Sequence, residues 1–115
     1  MAEEERNRWR RYRECQSALE HVCSALSNQN RVAVICLLAE RDVANVEELA
    51  SELGKRDEFD DSDGSIEVQL QHIHVPKLAE AGFVDYDGRS GAVRATDKID
   101  KIAFVLDCAI DQFEC

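Results

Sequence analysis

The chain changes its periodicity at Gly82, and this change restricts the possible folds most. Before Gly82, the segment from about Ser65 to Ala81 carries apolar residues at helical spacing, and glycine commonly ends a helix. After it, the runs FVDY and AVRAT are rich in β-forming residues and flank DGRSG, a turn with two glycines that suits a hairpin. The sequence therefore predicts a helix that leads directly into a short hairpin.

The predicted helix before Gly82 contains Pro76, which removes one backbone hydrogen bond and tends to kink a helix. Its apolar residues divide between two faces. One face is predicted to hold Ile66, Leu70 and Ile73, and the other Val68, Val75, Leu78 and Ala79. We expect one face to meet the core and the other to meet a partner.

Two further helices are predicted from their N-caps. Asn28 suits an N-cap before the segment Asn30 to Asp42, which carries Val32, Ile35, Cys36, Leu38 and Ala39 at helical spacing and is expected to be well buried. Asn45 with Glu48 forms a capping-box pattern before a short helix that ends at Gly54. The acid-rich segment from Gly54 to Gly64 is predicted to be a solvated loop.

The two ends of the chain share a narrow apolar spacing. A first helix from Arg8 to Leu26 is predicted to carry the stripe Tyr12, Cys15, Leu19, Val22 and Leu26. A last helix, capped by Asp97, repeats that spacing with Ile99, Ile102, Leu106, Ala109 and Phe113. Such matched stripes are typical of helix pairs, so we expect these ten residues to form the interface of a homodimer.

The order of helices and hairpin resembles a winged helix-turn-helix of the ArsR-like regulators. Leu78, Glu80, Ala81, Gly82, Phe83 and Val84 fill that family's junction between recognition helix and wing. The motifs LSNQNR, VEELA, HIHVPKLAEAG and YDGRSGAVR together are similar to small haloarchaeal winged-helix domains of largely unknown function. The resemblance covers roughly residues 26–96.

The resemblance implies a fold that is mainly α with a small β-hairpin (α+β), a winged helix-turn-helix with N- and C-terminal dimerisation helices. The 115 residues suffice for one domain. We expect an N-terminal helix over 1–27, a winged-helix core over 28–96 and a C-terminal helix over 97–115.

The composition indicates the cellular environment in which the protein functions. No segment approaches the roughly 20 apolar residues of a membrane span, and no apolar signal core follows the N-terminal charges, so we expect a cytoplasmic protein that contacts no membrane. Five cysteines without a C-x-x-C pair indicate reduced thiols. A net charge of −10 with only four lysines is typical of salt-loving cytoplasms, where salt screens charges within about 3 Å, and the resemblance to haloarchaeal domains implies an archaeal source.

In winged-helix proteins the recognition helix enters the major groove and the wing touches phosphate. The candidate DNA-binding residues are Gln69, Gln71, His72, Lys77, Arg89, Arg94 and Arg31. Gln69 or Gln71 can read adenine, and Arg89 lies at the predicted wing tip. The alternative is that these are solvated polar positions, because residues 65–75 contain no Lys or Arg. The arginine run over residues 6–13 is either a contact with the DNA backbone or a solvated helix face.

Other functional classes are not favoured. His72 and His74 are two positions apart, so on a helix they point about 200° apart and do not suit one metal ion. The acidic DDSDG lacks the first and last ligands of a calcium loop, and no phosphate loop, nucleophile motif or acid–base pair is present. We therefore predict no metal, no cofactor and no enzyme activity.

The function predicted from the sequence is sequence-specific transcriptional regulation by a homodimer on double-stranded DNA. The alternative is a winged-helix protein-interaction module that binds no DNA and docks a protein partner on Ile66, Leu70 and Ile73.

Overall fold

The computed structural model describes residues 2–55 and 66–114, with side chains from residue 7 onward. Seven α-helical segments, one π-helical turn and three short strands follow one another along these residues. The elements are α1 (Ala2–Glu14), α2 (Gln16–Leu26), α3 (Gln29–Arg41), β1 (Val43–Asn45), α4 (Val46–Gly54), α5 (Ile66–Gln69), a π turn (Leu70–His74), α6 (Val75–Glu80), β2 (Val84–Asp87), β3 (Ala92–Ala95) and α7 (Lys98–Phe113). The chain is thus mainly helical with a small antiparallel sheet, an α+β fold.

The predicted N-caps of α3 and α4 are confirmed. The Asn28 side chain accepts the backbone N–H of Asn30 at 2.8 Å, and the Asn45 side chain accepts that of Glu48 at 2.8 Å. Each bond satisfies one of the N–H groups that the first turn of a helix leaves without a partner. The acidic loop predicted over Gly54–Gly64 lies largely outside the described residues.

The prediction of a single first helix over residues 8–26 is wrong, because the helix is interrupted at Cys15. Cys15 leaves helical geometry at φ −112° and ψ 18°, and its N–H is shared between the carbonyls of Arg11 and Tyr12 at 3.1 Å each. Shared bonds of this kind are common where a helix ends. Every side chain described in α1 is exposed, so no core packing holds α1 and α2 in one straight helix.

The helix before Gly82 is continuous from residue 66 to residue 80, but its hydrogen-bond register changes in the middle. We call α5, the π turn and α6 together the composite helix. The N–H of Val75 reaches the carbonyl of Leu70 across five residues, directly before Pro76. The wider π turn places an extra residue at the point where the proline ring would crowd the preceding carbonyl.

The register change corrects the predicted faces of the composite helix. Its fully buried apolar residues are Leu70, Val75 and Leu78, with Ile66 only 5% exposed. Ile73 and Val68, which were assigned to opposite faces, are both exposed. Because the π turn inserts one residue, the buried apolar positions step by five between 70 and 75, and a regular helical period cannot predict that step.

The composite helix ends as predicted at Gly82. Gly82 has φ +87°, its N–H bonds the carbonyl of Ala79 at 3.0 Å, and the N–H of Phe83 bonds that of Leu78 at 3.0 Å. These two bonds form a Schellman motif, in which a left-handed glycine closes the helix. The chain then enters β2 directly.

The predicted hairpin is confirmed, and it belongs to a three-stranded antiparallel sheet of order β1-β3-β2. The row Ala44, Val93 and Tyr86 is buried or half-buried, whereas the row Val43, Arg94 and Asp85 is exposed. The alternation places one face of the sheet on the core and the other in solvent. Strand β1 was not predicted, because a three-residue strand has too short a pattern to recognise.

The core is formed by the end of α2, α3, α4, the composite helix, the sheet and the first two turns of α7. Ile99 and Ile102 of α7 are 2% and 1% exposed, so they belong to the core and not to a dimer interface.

Cys36, expected in the core, is exposed on α3. The cap of α7 also differs from prediction: Asp97 makes no side-chain cap bond, and the Thr96 hydroxyl accepts the N–H of Lys98 at 3.2 Å.

Within the described residues, no single helix is long and apolar enough to cross a membrane. Helices α2 and α3 reach the required length and composition only as a pair, and they are bent by 97° relative to each other.

Candidate nucleic-acid interface

The composite helix presents polar side chains to solvent on the side away from the core. Gln71, His72 and Lys77 are exposed, and Gln69 is half-buried. A glutamine amide offers a donor and an acceptor in one plane, which is the geometry that reads adenine in a major groove. Gln71 is therefore better placed for such a contact than Gln69.

The hairpin turn is held by hydrogen bonds to Asp87. Its carboxylate accepts the backbone N–H of Arg89 at 3.0 Å and the hydroxyl of Ser90 at 3.1 Å, and its carbonyl accepts the N–H of Gly91 at 2.8 Å. The N–H of Arg89, followed by the Ser90 hydroxyl, holds the pKa of the Asp87 carboxyl below its usual range. These bonds fix the backbone of the turn and leave the Arg89 side chain exposed at its tip.

The turn is also tied to the start of α4. The N–H of Val46 donates to the carbonyl of Gly91 at 2.9 Å. Gly91 has φ +77°, a conformation that favours glycine, so the residue type at this position serves the turn geometry. The position of Arg89 is therefore set by a turn connected to the helical core.

A groove of about 310 Å³ lies between the composite helix, the start of α4 and the hairpin turn. It is lined by Gln71 and Arg89 together with Asn45, Val46, Glu47, Glu67, Tyr86, Gly88, Ser90 and Gly91. Gln71 and Arg89, which are 18 positions apart in the sequence, thus line the same groove. Gln71 is the candidate for a base contact and Arg89 the candidate for a phosphate contact. Tyr86, Ser90, Glu47 and Glu67 were not predicted as site residues.

The carboxylates of Glu47 and Glu67 reduce the positive character of this groove. Of the described residues, Arg41 and Lys55 form ion pairs, both with Glu52, and Arg89 and Arg94 form none. The groove therefore combines two acidic groups with one arginine that is not held by an ion pair in the described chain.

Arg94 and Lys77 do not line the groove. Arg94 lies on the central strand β3, directly opposite Asp85 on one side and Val43 on the other, on the exposed face of the sheet. Lys77 is exposed on α6 near the end of the composite helix. Both remain accessible, but the structure does not bring them together with Gln71.

Arg31 is corrected as a DNA-binding candidate, because its side chain is buried and used inside the protein. Its Nε donates to the Ser24 carbonyl at 3.0 Å, one terminal nitrogen contacts His74 Nδ1 at 3.1 Å, and the other donates to the Ser27 hydroxyl at 3.2 Å. The guanidinium therefore joins the α2–α3 junction to the composite helix.

His74 completes this buried cluster and is neutral near pH 7. Burial first, and then the charges of Arg31 and Lys77, lower its pKa. A guanidinium only donates, so Nδ1 of His74 accepts from Arg31 and Nε2 carries the proton. Nε2 lies 3.4 Å from the Asn30 amide nitrogen while the Asn30 oxygen is buried without a partner. With its amide oxygen oriented toward the ring, Asn30 accepts the Nε2–H of His74.

The candidate dimer residues separate into three sets by burial. Tyr12, Cys15, Leu19, Ala109 and Phe113 are exposed, and Val22, Leu26 and Leu106 are half-buried. Ile99 and Ile102 are core residues, as described above. Three further apolar residues of α7 are exposed: Phe104, Val105 and Ile110. On α1 the ring of exposed Trp9 stacks on the ring of Tyr12, with 5.5 Å between the two ring centroids.

Within residues 2–55 and 66–114, no three His, Cys, Asp or Glu side chains form a group that could hold a metal ion. His72 is exposed and His74 is buried, so the two histidines of H-x-H point to different environments.

A family model described as "Domain of unknown function (DUF7344)" matches residues 23–94 of the chain. The match begins near the end of α2 and ends in β3. No curated protein and no solved structure matches the chain.

Proposed function

The chain belongs to the DUF7344 family, and from the groove between its composite helix and hairpin turn we propose that it is a homodimeric, sequence-specific DNA-binding transcriptional regulator with a winged helix-turn-helix fold. The observation that carries the proposal is the shared groove of Gln71 and Arg89. A side chain able to read a base edge and a cation able to hold a phosphate lie on adjacent elements, as DNA recognition requires.

Each element has a distinct part in the proposed complex. The composite helix enters the major groove, where Gln71, with His72 beside it, contacts base edges. The hairpin acts as the wing, and Arg89 contacts a phosphate from its tip. Lys77 and Arg94, which are exposed outside the groove, supply further phosphate contacts.

Both repulsive and attractive charges act in this proposed binding. Glu47 and Glu67 line the groove beside Arg89 and repel phosphate, and the whole chain carries a net charge of −10. Each phosphate that a cation neutralises adds about 0.9 to the slope of log K against log salt. With Arg89, Lys77 and Arg94 as the contributing cations of each subunit, a homodimer neutralises about six phosphates, so we expect log K to fall by about five units for each tenfold rise in salt.

The proposal is tested by selecting genomic DNA fragments on the tagged protein at a low and at a high KCl concentration and sequencing what is retained. An enriched fragment and a scrambled copy are then titrated by fluorescence anisotropy at several KCl concentrations. We expect the enriched fragment to bind more tightly than its scrambled copy. Failure to enrich any sequence, together with no binding at any salt concentration, contradicts the proposal.

Three variants assign the roles within the groove. Arg89→Gln should weaken binding to both fragments equally and, because each subunit of the homodimer loses one phosphate contact, lower the salt slope by about two units. Gln71→Ala should relax preference at one base pair, at a cost of about 1–3 kcal/mol. Lys101→Gln is the charge-matched control, because Lys101 is exposed on α7 and does not line the groove; it should bind as the wild type does.

A second candidate is a protein-interaction module, and the exposure of Ile73 on the composite helix favours it. Ile73 is 46% exposed on the same helix that carries Gln71, where an apolar side chain suits a protein surface. The docking face is smaller than the sequence indicated, since Ile66 and Leu70 are core residues. If no DNA is bound, Ile73→Asp should abolish capture of the partner while leaving the folded state intact.

A further inference from the structure

We propose that the cavity between α2 and α7 binds a small organic acid, a carboxylate with an apolar body. The cavity has a volume of about 430 Å³, within the range of about 300–1,000 Å³ that is usual for small-molecule sites. Its apolar lining comes from Val22 on α2, Phe83 before β2, and Ile102 and Val105 on α7. This inference does not rest on the DNA-binding proposal, since the cavity and the groove share no residue.

The polar side chains that line the cavity all belong to basic residue types. His21, Lys98 and Lys101 line it, and among the described residues no acidic side chain does. The chain has only four lysines against 24 acidic residues, and two of the four are at this cavity. Neither lysine forms an ion pair with any described residue, so both ammonium groups are available to a ligand. Cations around an apolar cavity select an anion with an apolar body.

The position of these lysines is unfavourable for helix stability. Lys98 and Lys101 lie among the first four residues of α7, and the N-terminus of a helix carries a partial positive charge. Cations there are destabilising, while anions are favoured. Asp97 and Asp100, which have the favourable sign, do not line the cavity. A carboxylate bound between the lysines would neutralise them and interact favourably with the helix end.

The backbone at Gly82 gives Lys98 its place at the cavity. A Cβ built on Gly82 would lie 3.3 Å from the Lys98 ammonium nitrogen and 3.6 Å from its Cδ. The Lys98 side chain therefore lies over the glycine that ends the composite helix, beside Ala81 and Phe83 of the cavity wall. The absence of a side chain at residue 82 leaves room for this arrangement.

The test uses sodium decanoate as the probe, below its micelle concentration, in isothermal titration calorimetry with the full chain. Decanol, which has the same chain without the charge, and sodium acetate, which has the charge without the chain, are the comparison compounds. We expect decanoate to bind with one site per chain, and both comparison compounds to bind at least about tenfold more weakly, because each lacks one of the two interactions.

Two variants locate the site, and a third is the control. Lys98→Gln combined with Lys101→Gln should weaken decanoate binding at least about tenfold by removing both cations. Ala18→Phe should block the cavity from its exposed rim and abolish binding. Arg89→Gln removes one positive charge at the DNA groove and should bind decanoate as the wild type does. Unchanged thermal unfolding in each variant verifies that the fold is retained.

The outcomes separate this proposal from its alternatives. No decanoate binding by the wild type, equal affinity for decanol, or unchanged affinity in the lysine double variant overturns it. If a second copy of the chain covers the cavity, the wild type also binds no decanoate, and this result likewise overturns the proposal. Loss of DNA binding in Arg89→Gln with decanoate affinity retained supports two independent sites.

Discussion

At the scale of single residues, the buried cluster of Arg31, His74 and Asn30 is the most consequential feature. Its guanidinium contacts neutral acceptors, and no described carboxylate pairs with it. A buried cation without an opposite charge is costly unless every donor is satisfied, so the neutral state of His74 is necessary for the cluster. Protonation of His74 would place two positive charges 3.1 Å apart.

The first prediction concerns the pH dependence that follows from His74. Its pKa is lowered in the folded protein, so below the ordinary value of 6.5 the unfolded chain binds more protons than the folded one. Stability should therefore be highest above that value and fall as the pH decreases through about 6.5 toward 5. Chemical unfolding at a series of pH values measures this slope.

Variants identify the responsible histidine. His74→Gln should be less stable at neutral pH, by about 1–3 kcal/mol, and should lose most of the slope between about pH 7 and 5. His72→Gln, two residues away and exposed, should keep the wild-type slope. An unchanged slope in His74→Gln would exclude His74 as its source.

The second prediction concerns Gly82. Alanine there must adopt φ +87° and approach the Lys98 side chain, so we expect Gly82→Ala to lower the free energy of unfolding by about 1–2 kcal/mol. Gly54→Ala is the control, because no atom lies within 4 Å of its built Cβ and its position at the end of α4 has no positive φ. That variant should be neutral or slightly stabilising. Equal effects in the two variants would contradict the assignment of strain to residue 82.

At the scale of elements, the join between the hairpin and α7 depends on Thr96. Its hydroxyl donates to the carbonyl of Gly82 at 2.7 Å and accepts the N–H of Lys98 at 3.2 Å, while its own N–H bonds the carbonyl of Phe83 at 3.1 Å. One side chain thus links the end of the composite helix to the start of α7. The aspartate that the sequence indicated as the cap makes no such bond.

The third prediction compares these two residues. Thr96→Val retains the shape and removes the hydroxyl, so it should cost about 1–2 kcal/mol of stability. Asp97→Ala should cost less, about 0.5 kcal/mol, because only its interaction with the helix end is lost. Urea unfolding of both variants measures the difference, and a larger effect at Asp97 would show that the aspartate is the true cap.

At the scale of the whole molecule, most of the exposed large apolar residues lie on the terminal helices α1, α2 and α7. Leu19 on α2 and Phe104 and Ile110 on α7 are 36%, 67% and 51% exposed. Large apolar side chains that are exposed on the same few elements are typical of interaction surfaces. We propose that they form the dimer interface, which then lies outside the core residues Ile99 and Ile102.

The fourth prediction is that Leu19→Asp combined with Ile110→Asp yields a folded monomer. Charges at the centre of the interface must be desolvated on association, which opposes dimer formation without affecting the core. Sedimentation velocity measures the oligomeric state. Val43→Asp is the control, since Val43 is 49% exposed but lies on the sheet, and it should remain dimeric. A wild-type protein that sediments as a monomer would contradict the prediction.

The sequence by itself determined the features that depend on neighbouring residues. The caps at Asn28 and Asn45, the glycine that ends the composite helix and the alternation of the hairpin each rest on bonds or dihedral angles within a few residues. Such features leave a local pattern, and the residue types could be read directly. Gln71 and Arg89 were both named as candidates, but nothing local placed them in the same groove.

Only the tertiary structure decided which side chains are buried and which meet. Arg31 and His74 are 43 positions apart, and their contact converts a presumed DNA-binding arginine into a structural one. The π turn shifts the buried face of the composite helix by one residue, and α3 covers half of an apolar stripe on α7. A helical period gives the spacing of apolar residues but not their partner, because burial depends on which distant element packs against that face.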